Sequence, residues 1–194
     1  MQPILLTLIH RIMKKLFFSL AFLSIFSLCF AEEYCNMGFC FEVPKKFHAN
    51  APSAYLDANQ QPTRIIASKG LFTMMTIHKN YKPEMDLMER VEFLKDLLDK
   101  AMANQTQGKV PYFIDFSQGK EYLGEIETYC LTGYVHLGLG ATQYKFYLFD
   151  RDDIPYLVEF STPGGTKGFE KNFRAMIESF KYQEVAPLPV NNVE

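Results

Sequence analysis

The 194-residue sequence contains no tryptophan, only four cysteines and no surplus of positive charge. Lysine and arginine together number 20 against 22 aspartates and glutamates, and no basic stripe runs along the chain. Because nucleic-acid binding depends on such stripes to neutralise phosphates, we expect no nucleic-acid partner. The cysteines and histidines also lack the paired spacing of a zinc finger, so we expect no metal site.

A catalytic motif is also missing, so the sequence assigns no catalytic residue and no cofactor. Cys130 and His136 come nearest to a nucleophile and its base. Six residues of strand separate them by about 20 Å, whereas a catalytic thiolate pair needs about 3 Å. His48 and His78 have no partner at metal-ligand spacing either. We therefore predict that the protein is not an enzyme.

Three short patterns resemble ligand-binding loops but lack the residues that binding requires. Residues 150–153 (DRDD) lack the central glycine and closing glutamate of a calcium loop. Residues 138–140 (GLG) are followed by Gln143 in place of the third glycine of a nucleotide loop. Residues 164–168 (GGTKG) lack phosphate-loop spacing and indicate a turn that leads into a helix.

The one long apolar run indicates where the protein works. Lys14 and Lys15 precede 15 uncharged apolar residues, Leu16 to Phe30, and residues 29–31 (CFA) suit cleavage after Ala31. This pattern is typical of a secretory signal peptide. It predicts a periplasmic or secreted protein with no stable membrane span after cleavage.

Other interpretations of the leader stay open. An uncleaved anchor needs about 20 apolar residues, more than this run contains. A lipoprotein would be acylated at Cys29, where the preceding Leu28 is bulky for such a site. A transit peptide would be amphipathic and rich in arginine and serine, unlike this block. Residues 1–12 either extend the leader or precede a true start at Met13.

The composition after residue 31 predicts one folded domain. The remaining 163 residues carry 17 basic and 22 acidic side chains, a net charge of −5, with 13 phenylalanines and 11 tyrosines. This length normally forms a single core, and so many rings indicate an aromatic one. We predict a signal peptide over residues 1–31, one domain over 32–182 and a flexible tail over 183–194.

Cysteine usage agrees with export. Cys35, Cys40 and Cys130 remain after cleavage, so at most one intramolecular bridge can form. An extended chain would hold Cys35 and Cys40 about 16 Å apart, but residues 36–38 (NMG) favour a turn that brings them together. We predict a Cys35–Cys40 disulfide with Cys130 left free. Two buried thiols are the alternative.

The hydrophobic pattern predicts an α+β fold. Strands are expected at Phe39–Val43, in a hairpin over residues 64–68 and 72–79, and over residues 122–137, 142–149 and 154–161. A helix is expected from Pro83 onward, and a second carries one apolar stripe: Phe169, Phe173, Met176, Ile177 and Phe180. Residues 44–62 look irregular. Short links between strands predict one antiparallel sheet covered by helices.

The order of elements resembles the PsbP-like superfamily. The features that carry the resemblance are residues 39–44 (FCFEVP), the mid-chain amphipathic helix, the hairpin over residues 144–160 and a closing helix that ends at residues 177–180 (IESF). The superfamily includes the extrinsic PsbP subunit of photosystem II, a Ran-binding import factor and DcrB-type periplasmic proteins. The resemblance implies an α/β/α sandwich around a central antiparallel sheet. It also implies a non-enzymatic role in binding or assembly.

Three hypotheses of function follow. The first is an exported binding or assembly module of the cell envelope with a protein partner, which predicts a flat, polar or patchy surface. The second is a carrier of a small apolar ligand or lipid, which predicts a deep apolar cavity. The third is a hydrolase or thiol enzyme, which predicts converging polar side chains.

Overall fold

The structure, a computed structural model, describes residues 31–106, 113–136 and 141–183. The described residues from Glu33 onward belong to one compact unit. In chain order, the elements are β1 (Glu32–Asn36), β2 (Phe39–Val43), β3 (His48–Asn50), β4 (Arg64–Lys69), β5 (Thr73–Lys79), α1 (Leu87–Thr106), β6 (Phe113–Leu123), β7 (Ile126–His136), β8 (Ala141–Arg151), β9 (Ile154–Pro163), α2 (Gly165–Glu178) and β10 (Lys181–Tyr182).

Two antiparallel sheets contain these strands. The larger sheet has seven strands in the order β3-β4-β5-β9-β8-β7-β6, and the smaller has the order β1-β2-β10. Three tight hairpins connect neighbours in the larger sheet: β4 with β5, β6 with β7, and β8 with β9. Links of this length permit only antiparallel pairing, which explains the sheet type.

Buried side chains form two clusters, and β8 contributes alternately to both. Phe146 and Leu148 pack with Val91 and Leu94 of α1. Tyr147 and Phe149, which point to the opposite face of the strand, pack in the larger cluster with Phe169, Phe173 and Met176 of α2. The sheet therefore buries apolar side chains on both faces, against a different helix on each.

The α+β prediction is confirmed, although the fold is dominated by its sheets. The predicted hairpin over residues 64–79 and the apolar stripe of α2 are both present, with Phe169, Phe173 and Met176 buried. Among the described residues, no helix is both long and apolar enough to cross a membrane.

One predicted strand proved to be two elements. Residues 122–137 were expected to form a single strand, but β6 ends at Leu123 and β7 begins at Ile126. Gly124 forms the turn with a positive φ of 58°, a conformation that favours glycine. The sequence pattern missed this turn because Gly124 is its only turn-forming residue and lies between strand-forming segments.

The first helix begins later than predicted. It starts at Leu87 rather than near Pro83, because Asp86 and Glu89 form a capping box. The Glu89 amide donates to the Asp86 carboxylate at 2.9 Å, and the Asp86 amide donates to the Glu89 carboxylate at the same distance. These two bonds satisfy backbone N–H groups that the first turn would otherwise leave without partners.

Candidate functional site

A polar cleft of about 410 Å³ lies on the sheet over β6, β7 and β8. Its walls include Glu121 of β6, Cys130 and Thr132 of β7, and Gln143 and Lys145 of β8. Strand register explains why these side chains converge: Thr132 lies opposite Lys145, and Cys130 lies opposite both Gly119 and Tyr147. Gly119 leaves open space at the centre, since a Cβ atom at this position would meet no described atom within 4 Å.

An ion pair spans the cleft. Lys145 Nζ lies 2.5 Å from Glu121 Oε1, although strand β7 lies between their two strands in the sheet. The lysine side chain is only 16% exposed, and its ammonium group also lies 5.3 Å from the ring centroid of Tyr147. Because each charge neutralises the other, the cleft offers hydrogen-bonding groups with little net charge of its own.

Cys130 is a buried free thiol on the wall of this cleft. Burial raises the pKa of Cys130 to about 12, and the nearby Glu121 carboxylate raises it further by accepting the thiol's hydrogen bond. Thr132 Oγ1 lies 3.7 Å from the sulfur. The thiol therefore stays protonated at neutral pH, where a nucleophilic cysteine must be a thiolate.

Two buried polar atoms near the cleft have no hydrogen-bond partner among the described residues. One is the carboxamide oxygen Oε1 of Gln143, whose residue is 5% exposed, and the other is the hydroxyl of Tyr147. Burial, and then the charges of Cys130 and Glu121, raise the pKa of Tyr147. Buried polar groups are normally paired, so the unpaired oxygen of Gln143, which lines the cleft, is unusual.

The structure does not bring together the suspected nucleophile and base. Cys130 lies midway along β7, and His136 ends that strand opposite Ala141, six residues away. His48 is exposed at the start of β3. His78 lies partly buried on β5, and its pKa is lowered to about 4 by burial and by the positive charge of Arg64.

The three loop patterns have structural roles where the structure describes them. Both carboxylate oxygens of Asp150 accept hydrogen bonds from the buried Arg90, at 2.6 and 2.8 Å. Asp152 and Asp153 form the β8–β9 turn with φ of 52° and 60°. Gly164, with φ of 94°, is the N-cap of α2. Residues 138–140 lie outside the described residues.

The predicted cysteine pair lies at disulfide distance. The Cys35 and Cys40 sulfur atoms are 2.05 Å apart, and Met37 and Gly38 make the turn that joins β1 to β2. The ligand atoms of Glu33, Cys35 and Cys40 all lie within 4.8 Å of one another. With the two sulfurs bonded to each other, neither is available as a thiolate ligand for a metal ion.

Sequence reasoning found Cys130 but missed the rest of the cleft. Gln143 and Lys145 alternate with Tyr144 and Phe146, so either face of β8 could have been the buried one. Glu121 was equally inconspicuous because other charged residues, Lys120, Glu125 and Glu127, lie close to it in the sequence. Only the register of three strands brings these side chains together.

Comparison with known proteins identifies the fold. No protein-family profile matches the sequence, and no curated protein sequence matches it significantly. Among solved structures, the cyanobacterial PsbP protein CyanoP from Synechocystis sp. PCC 6803 superimposes with a TM-score of 0.50 at 12% identity, covering 80% of this chain and 94% of CyanoP.

Two other solved structures are similar at lower scores. The Ran-binding protein Mog1p of Saccharomyces cerevisiae has a TM-score of 0.45 at 9% identity, over 78% of this chain and 96% of Mog1p. A Bacteroides thetaiotaomicron protein has a TM-score of 0.45 at 9% identity over 79% of this chain, which spans about half (49%) of that protein. The superposition on CyanoP shows that the chain has the PsbP-like fold, as the sequence resemblance indicated. At such identities the likeness concerns the fold alone.

Proposed function

We propose that this protein is an exported, non-enzymatic binding or assembly module of the cell envelope, and that the polar cleft holds a polar group of its partner. The unpaired Gln143 oxygen, on a residue that lines the cleft, carries this proposal. An unpaired buried polar atom costs about 1–3 kcal/mol of stability. A partner that hydrogen-bonds this atom would recover that cost on binding.

The chemistry of the cleft supports binding over catalysis. Its polar side chains converge as the enzyme hypothesis requires, but the raised pKa of Cys130 disfavours the thiolate. Lys145 is held by Glu121 and is therefore not a free base. These features argue against a hydrolase or thiol enzyme, and we propose that no turnover depends on Cys130.

The carrier hypothesis receives less support. An apolar ligand needs an apolar cavity that excludes water. The cleft over β6 to β8 is open and contains an ion pair, and a second cleft of about 340 Å³ contains Lys79, Arg151 and Asp152. Both are better suited to polar groups of a protein or peptide partner.

We also propose that the domain is an α/β/α sandwich and that it begins after the leader. Alternation of β8 side chains between the two clusters supports an α/β/α sandwich. The apolar leader and the paired Cys35 and Cys40 support export to an oxidising compartment. We therefore expect the mature domain to cover residues 32–182, followed by the tail.

Mass measurement of the N-terminus tests export. Protein expressed from its full reading frame should be recovered from the periplasm or medium with Glu32 as its first residue. A lipid-modified Cys29 as first residue, or an exported form that retains residues 13–31, would contradict the secretory interpretation.

Replacement of Gln143 tests the binding site. Gln143→Leu removes the unpaired oxygen at similar side-chain volume, so we expect stability to rise by about 1 kcal/mol. Capture of the partner after cross-linking in intact cells should nevertheless fall at least tenfold. Gln183→Leu, at an exposed glutamine outside the cleft, is the matched control and should capture the partner normally. Equal capture by both variants would contradict the proposed site.

A further inference from the structure

The tip of the β4–β5 hairpin exposes two large apolar side chains to solvent. Leu71 is 86% exposed and Phe72 is 71% exposed, the highest values among the exposed large apolar residues of the described chain. The other tight turns of the larger sheet contain Gly124 and Glu125, or Asp152 and Asp153. An apolar tip on a hairpin is unusual, because turns of soluble proteins favour polar residues and glycine.

The segments that neighbour this tip are rich in lysine. Lys69 precedes it directly and donates from Nζ to Asn172 Oδ1 of α2 at 3.0 Å, which places the first turns of α2 beside the hairpin. The start of β3 lies on the other side, since His48 pairs with Ser68. Residues 44–50, 68–74 and 163–172 together contain one acidic residue, Glu170, and five lysines: Lys45, Lys46, Lys69, Lys167 and Lys171.

This local charge is opposite in sign to that of the molecule. Residues 32–194 carry a net charge of −5, yet the hairpin tip and its neighbours carry a basic surplus. Glu170 is itself paired with Arg174, whose guanidinium lies 2.7 Å from its carboxylate. Basic segments beside exposed leucine and phenylalanine are the combination that binds anionic lipid surfaces.

We propose that the β4–β5 tip docks on a membrane surface that contains anionic phospholipid. Leu71 and Phe72 enter the boundary between headgroups and acyl chains, while the flanking lysines contact the lipid phosphates. Lysine suits this position because its long stem can lie along apolar material while its charge stays in water. Two apolar side chains alone bind a bilayer weakly. The contact is therefore reversible, and it depends on the apolar side chains and the lysines together.

Vesicle flotation tests this proposal. The protein is expressed from its full reading frame and purified after any processing by the cell. It is then mixed with vesicles of phosphatidylcholine, or of phosphatidylcholine with one third phosphatidylglycerol. We expect binding to the anionic vesicles at least tenfold stronger than to the neutral ones. Raising the salt to about 0.5 M should remove most of that difference, because all of these lysines except Lys69 are exposed and salt screens exposed charges.

Paired variants assign the binding to the tip. Leu71→Ser with Phe72→Ser should lower binding to anionic vesicles at least tenfold. Met88→Ser with Leu97→Ser, which changes two exposed residues of α1 instead, should leave it unchanged. The parent protein and the variants are prepared with the same N-terminus. If residues 13–31 are retained, they therefore contribute equally to the vesicle binding of each protein. Thermal melts confirm that each variant is folded.

Several outcomes would overturn the proposal: no binding to either vesicle, equal binding to both, or equal binding by the two double variants. The parent protein could fail to bind vesicles while the Leu71→Ser, Phe72→Ser variant loses a cross-link to an envelope protein. That result would assign the tip to a protein partner instead. Gln143→Leu should bind vesicles normally, so this test is independent of the proposed cleft.

Discussion

Gly124 occupies a position where the structure leaves no room for even a Cβ atom. Its φ is 58°, and a Cβ atom there would lie 1.8 Å from the carbonyl oxygen of Phe180. The same oxygen accepts a hydrogen bond from the Glu125 amide at 3.3 Å, so the β6–β7 turn and the end of α2 are held in close approach. Only glycine permits both the backbone conformation and the contact.

The pair Gly124→Ala and Gly70→Ala separates these two requirements. Gly70 has a similar φ of 69°, but no described atom lies within 4 Å of the position that a Cβ atom would take there. We expect Gly70→Ala to cost about 1 kcal/mol from the left-handed backbone alone. Gly124→Ala should cost about 3 kcal/mol, since the clash adds to that strain. Urea unfolding measures both, and equal costs would show that the turn moves freely away from Phe180.

His78 should make stability depend on pH below neutrality. Burial and Arg64 hold its pKa at about 4 in the folded state, against 6.5 for an unperturbed histidine. The unfolded chain therefore binds more protons between these two values, and the folded state is progressively destabilised as the pH falls from about 6.5 to about 4. Above pH 6.5 both states carry a neutral histidine and the effect vanishes.

The measurement is the free energy of unfolding as a function of pH, compared with His78→Gln. The difference between the two proteins cancels the contributions of other groups, including Glu159, whose pKa is raised by burial. We expect this difference to change across pH 6.5 to 4 and to be constant above it. A constant difference throughout would mean that His78 titrates normally in the fold.

The β1–β2 hairpin is the element that the disulfide constrains. Cys40 follows Cys35 at a sequence separation of 5, so the loop that the disulfide closes in the unfolded ensemble is short. In the chain-entropy model, such a bridge stabilises by about 2 kcal/mol or less. Cys35→Ser with Cys40→Ser should therefore leave a folded protein with a slightly lower melting temperature.

Peptide mapping without reduction checks the pairing. Protein from an oxidising compartment should give one cross-linked peptide that contains Cys35 and Cys40. Cys130 should react with a thiol reagent only after unfolding, because it is buried. A bridge to Cys130, or three free thiols, would show that the hairpin does not form this bond in the cell.

Elements with strong periodicity were predictable, and those defined by contacts were not. The stripe of α2 follows from spacing alone, because Phe169, Phe173 and Met176 recur at helical intervals. β10, with two residues, exists only because Lys181 and Tyr182 pair with Cys40 and Phe39. β3 likewise depends on its register with β4. No local pattern marks such short strands.

At the scale of the whole molecule, the sequence predicted the fold class but not the site. Hydrophobic periodicity reports what each strand buries, and this was sufficient for an antiparallel sheet with helices on it. The cleft requires Glu121, Cys130 and Lys145 to meet across three strands, which depends on register. A one-residue slip in any strand would move its side chain to the opposite face.

The placement of Cys35, Cys40 and Cys130, the three cysteines of residues 32–194, has a consequence for oxidative folding. Closing a loop costs an entropy that grows with its length, and Cys130 lies about 90 residues from the other two. In an unfolded chain the Cys35–Cys40 contact is favoured over either contact with Cys130 by on the order of 2–3 kcal/mol. The hairpin bond therefore forms early and consumes the two thiols with which Cys130 could mispair. Collapse of the sheet then shields the remaining thiol, so the chain reaches one covalent isomer without reshuffling.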